Sequence, residues 1–130
     1  MSLDVSTALV QRAETGSVDD AEFVACVRRS LPYAWTVVSD VVTELRETGR
    51  ASADDRRVPP TDEAWGQLFR AFAGDAIRGG LERHFGVKLA FQNCHRVAAF
   101  TPAAVDSTAY RDFVSTRAQV LNQSPELRNC

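Results

Sequence analysis

Lysine is nearly missing from this chain: Lys88 is the only one among 15 Lys and Arg residues. The rest are arginines, a bias that points to a GC-rich coding sequence more than to any mechanism. Cysteine is scarce as well. Cys26, Cys94 and Cys130 are odd in number and widely spaced. That excludes a disulfide framework and leads to the expectation of a reduced, cytoplasmic protein. No apolar run approaches the ~18 residues of a membrane span. The start, MSLDVSTALVQRAE, has an acid at position 4 and no long apolar core to act as a secretion signal. C-x-x-C, H-x-x-x-H and Glu-x-x-His pairs are also missing, so spacing yields neither a zinc set nor a di-iron helix pair. No G-x-x-x-x-G-K phosphate loop occurs, and no internal repeat or low-complexity tract interrupts the chain.

What is present is ordinary globular material. With 130 residues, 45% apolar and 25% charged, the chain fits a single domain, 1–130. Its charge is uneven. Residues 1–63 hold 7 Arg against 12 Asp and Glu, residues 64–100 hold 4 Arg and Lys88 against Asp75 and Glu82, and residues 101–130 balance. The basic stretch also contains both histidines, Cys94 and most of the phenylalanines. A site would be sought in such a block. The net charge of −2 argues against bulk nucleic-acid binding, which depends on neutralising phosphates.

Hydrophobic spacing predicts the fold. Val5, Ala8, Leu9 and Ala13 recur at helical intervals before Gly16, and a second helix follows Ser17 with Val24 and Val27 inward. Pro32 suits a first turn. The stripe Leu31, Trp35, Val38, Val42, Leu45 then predicts a central helix that ends at Gly49. Residues 49–60, GRASADDRRVPP, read as a mobile surface loop. Thr61 offers an N-cap to a fourth helix carrying Trp65, Leu68, Phe69, Phe72, Ala76, Ile77 and Leu81 inward, with Gln67, Arg70, Arg78 and Glu82 outward, closed by Gly86. At Val87 the period changes to two, and 87–92 with 96–100 read as a hairpin; a continued helix is the competing reading. Tyr110, Phe113, Val114, Ala118 and Leu121 predict a last helix. The expectation is a mainly α fold: five helices in an irregular bundle, with one short β-hairpin (87–100) between the fourth and fifth.

Several residue groups are candidates for function, each with a plainer alternative. Arg83, Lys88, His95 and Arg96 would suit a small anion, or form a solvated face. Cys94, with His84 and Cys26, would suit a thiol or metal sensor, or be turn and core residues. Gly66, Ala73 and Gly80, seven apart, would admit a partner's backbone, or another element of the same fold. Trp65, Phe69 and Phe72 read as core rather than as a base-stacking platform.

The block GQLFRAFAGDAIRGGLERHFGVKLAFQNCHRVAAF, the start MSLDVS, the segment SLPYAW and the end LNQSPELRNC resemble a small actinomycete family of this length. That family has no assigned activity and no catalytic residues to carry over. The resemblance implies a stand-alone cytosolic protein with a regulatory role. With no chemical constellation, a row of small residues and an uneven charge, the expected function is a non-enzymatic regulator or adaptor without a cofactor, acting as a homodimer or on a protein partner. A domain for a small anionic metabolite and a sensor at Cys94 are the alternatives.

Overall fold

The computed structural model describes residues 2–92 and 95–121. Side-chain caps start most of its longer helices. Ser6 accepts from the Leu9 amide to begin α1 (Thr7–Glu14), and Asp19 accepts from Ala21 to begin α2 (Asp20–Ser30). Pro32 opens α3 (Pro32–Thr48), whose Val37, Val38, Val41, Val42 and Leu45 are buried. Gly49 ends it at φ 64, a left-handed position that suits glycine. Strand β1 (Ser52–Asp55) follows. Thr61 then caps α4 (Asp62–Ala73), and α5 (Asp75–Phe85) closes at Gly86, φ 67. Strands β2 (Lys88–Gln92) and β3 (Arg96–Phe100), α6 (Thr108–Phe113) and α7 (Thr116–Leu121) complete the order.

The strands form one antiparallel sheet in the order β1-β3-β2. Ala99 lies opposite both Ala53 and Leu89, and Ala98 opposite both Asp54 and Ala90. Alternation sends these two rows to opposite faces. On the inner face, Leu89, Val97 and Ala99 join Val38, Val42, Leu68, Ile77 and Leu81 in the main core. On the outer face, Ala90, Ala98 and Phe100 meet Ala104, Tyr110 and Phe113 in a smaller one. The chain is thus layered: helices α2–α5, the sheet, then a thin cover of α6.

The mainly helical character is as expected; 88–92 and 96–100 are strands rather than a continued helix, but they belong to a three-stranded sheet and not to a lone hairpin. Three features differ. Among the described residues there are seven α-helices, not five. The fourth expected helix is two, broken at Gly74, whose backbone is extended (φ −117, ψ 150). The last is also two, α6 and α7, neither with a buried residue. Part of the stretch read as a mobile loop is β1. Its sequence, SADD, hides a strand because one of its two inner residues, Asp55, is a charge, neutralised there by Arg57. Among the described residues no helix is long and apolar enough to cross a membrane.

Candidate functional site: an aromatic strip on α4

Trp65 and Phe69 sit one turn apart on α4, so their rings lie one above the other. Their centroids are 6.2 Å apart and the planes 27° from parallel. His95, just before β3, meets Trp65 edge-on at 5.3 Å. Phe69 meets Phe91 of β2 edge-on at 5.9 Å, and Phe91 stacks on Phe72 at 5.1 Å. These separations fall in the range where aromatic pairs attract beyond simple burial, by ~0.5–1.5 kcal/mol each. Five rings therefore form a continuous path. It is anchored in the core at Phe72 and surfaces at Phe69, which is 48% exposed. A ring nitrogen of His95 lies 3.1 Å from the Arg56 carbonyl oxygen, fixing the far end.

Sequence reasoning placed Trp65, Phe69 and Phe72 together in the core. Phe72 is there; Trp65 is half-buried and Phe69 faces solvent. The signal was present in the width of the stripe. Leu68, Ala71 and Phe72 already fill one face of α4, and an apolar arc reaching on to 65 and 69 is broader than one buried face requires.

The basic group divides. The Arg83 guanidinium holds both oxygens of Asp20 on α2, at 2.7 and 3.0 Å. That bond holds the Asp20 carboxyl below its ordinary value. Lys88 lies 3.5 Å from Glu82, whose carboxylate also accepts from the Leu89 amide. Arg96 reaches Asp54 of β1 at 2.7 Å and lies over the Phe113 ring. Burial alone would raise the Asp54 carboxyl, but the bonds from Arg96 and Arg56 outweigh it and hold the carboxyl low. Lys88 pairs across from Phe100 and Arg96 across from Gln92, at opposite ends of the hairpin. The structure brings Arg83 and Lys88 near Glu82, with His95 and Arg96 elsewhere. Carboxylates already hold Arg83, Lys88 and Arg96.

The described sulfur and imidazole candidates, Cys26, His84 and His95, form no such group either. Cys26 is buried on α2 and donates to the Asp4 carbonyl. His84 packs on Trp35 and Phe85 at the end of α5, while His95 is on the strip. Cys94 lies outside the described residues. Among the described residues no group of three His, Cys, Asp or Glu could hold a metal ion. The small-residue row is divided by the break at Gly74: Gly66 and Ala73 are on α4, Gly80 on α5. A Cβ on Gly80 would come within 3.1 Å of the Phe23 ring, so its smallness serves the α2–α5 contact inside the fold.

Compared with known families, the chain matches over residues 1–130 the family described as the NucS shadow ORF, whose short label begins with the letters KH. The chain belongs to that family. Searches of curated proteins and of solved structures gave no match.

Proposed function

We propose that this member of the NucS shadow ORF family is a non-enzymatic regulator or adaptor that grips a protein partner through the aromatic strip on α4. The reading includes a cytoplasmic, actinomycete setting and pairing either with a second copy or with another protein. The observation that carries it is Phe69: a large ring left half-exposed, yet locked by edge contact to a core-anchored aromatic path. Rigid aromatics that lose little entropy on binding are what dominate protein interfaces. The family description names an open reading frame in the shadow of another and no activity, so the first measurement is of the chain itself. Its peptides are expected in the cell's proteome by mass spectrometry. Affinity capture with the intact chain should then recover a partner, or a second copy, that is lost with Phe69→Ala while the circular dichroism spectrum is unchanged. An identical capture set for the variant overturns the reading.

A second reading is favoured by the KH label and by the same rings: stacking on the bases of a single strand. KH modules clamp the backbone with a G-x-x-G loop. No two glycines here are three apart, and α4 passes to α5 through Gly74 alone. Arg78, Arg83, Lys88 and Arg96 are each paired with a carboxylate, so most of the charge of the basic block is met within the fold. Titration of single-stranded RNA at low salt, followed by Trp fluorescence, separates the readings: quenching that Phe69→Ala removes supports nucleic acid, and a flat titration supports protein.

A further inference from the structure

Away from the strip, the N-terminal segment, α1 and α2 enclose a groove of about 450 Å³, a volume typical of binding sites. Leu3, Val5, Leu9, Val10, Val18 and Phe23 line it, with Glu14 the one charged residue among its described walls. Val5, Val10 and Val18 are 41%, 42% and 44% exposed, so no described residue covers them. The wall is nevertheless fixed. The Asp4 amide donates to Ser30 Oγ at 2.8 Å, and the Asp4 carbonyl accepts from Cys26 Sγ and from Arg29 Nη2. This segment is pinned to α2 rather than loose.

Charge selects the occupant. Arg12 is paired with Glu22, Arg29 with Asp4, and Asp20 with Arg83, while Arg28 stacks on Trp35. Among the described residues Glu14 and Asp19, next to the lining Val18, are in no ion pair and outnumber the one cation, Arg28, that no carboxylate meets, so the uncancelled charge here is negative. We infer that the groove takes a basic amphipathic helix of a protein partner, its apolar stripe along the valines and its Lys or Arg residues against Glu14 and Asp19. A second copy docked face to face would set like charges against each other. The groove is separate from the aromatic strip, and an adaptor needs two such faces.

The test uses the intact chain and two fluorescent model peptides with the same helical leucine stripe, one with lysine and one with glutamate on the polar face. Anisotropy should rise with the lysine peptide alone. The double change Val10→Ser, Val18→Ser should weaken binding about tenfold. Glu14→Gln with Asp19→Asn, which keeps an N-cap at 19, should weaken it several-fold and flatten its salt dependence. Phe69→Ala should leave it unchanged, which separates this groove from the strip. Equal binding of both peptides, indifference to the valine changes, or a dimer that Val10→Ser, Val18→Ser converts to monomer overturns the inference.

Discussion

Gln67 caps a helix to which it does not belong. Helix α3 begins after Leu31, which offers no side-chain acceptor, so its first amides need a partner from elsewhere. Gln67 Oε1, on α4, accepts from Tyr33 N at 2.6 Å and from Ala34 N at 3.2 Å. The side chain is buried, although helical spacing put it on the polar side of α4 with Arg70 and Arg78. That spacing describes α4 alone; it has no knowledge of the bare α3 terminus packed against it. Gln67→Leu should keep the volume and strand two amides, that of Ala34 buried and that of Tyr33 partly so, costing about 2–4 kcal/mol. The shift in the urea midpoint measures it. A loss under 1 kcal/mol, roughly the net worth of one ordinary hydrogen bond, would mean that water replaces the cap.

At the scale of elements, the α4–α5 break shows why periodicity misled. Buried positions Leu68, Phe72, Ile77 and Leu81 keep an apparently helical rhythm across Gly74, because a one-residue link changes the helix direction but barely the count. Arg78 stabilises the corner by donating to the Phe72 carbonyl and pairing with Asp75. The glycine itself was a legible warning, since it costs about 1 kcal/mol inside a helix. α5 then turns onto α2, and Gly80 sits against Phe23. Gly80→Val should prise the two helices apart and cost about 1–3 kcal/mol, with Phe23→Ala in the same chain recovering part of it. If the single variant is as stable as the parent, the contact is softer than its geometry implies. The hairpin was legible because its alternation is apolar; β1 was not, because its inner face is a small Ala53 and an aspartate whose partner, Arg57, lies two residues on. Of the strip, the sequence singled out His95 as an anion ligand rather than as an aromatic contact, and read Trp65 and Phe69 as interior. Whether a ring on a broad stripe is covered depends on what packs beside it, here Phe91 of β2 and His95 before β3, which local spacing cannot position.

For the whole molecule, the acidic first half and the basic block are complements. Arg83 of the block finds Asp20, and Arg96 finds Asp54, so a charge contrast that suggested an external anion is met in part within the fold. The sign of the pH response follows. Asp20 and Asp54 both have folded values below the unfolded 3.8. The unfolded chain therefore binds these protons more readily, and stability from the two pairs is complete above the unfolded value and lost as pH falls through the folded ones. Urea midpoints should not move on account of these pairs between about pH 7 and pH 5, and should drop below about pH 4. Asp54→Asn should cost about 1 kcal/mol at neutral pH, a figure discounted for the partial exposure of the pair. It should also shallow the acid slope, because one of the two protonations has been removed. The effect of the Asp20–Arg83 pair, on the open surface between α2 and α5, should fade in high salt, while the less exposed Asp54–Arg96 pair persists. An Asp54→Asn chain that follows the parent's acid profile at every pH would show that the carboxyl is not held low, and that the pair fastening β1 to β3 contributes geometry but no stability.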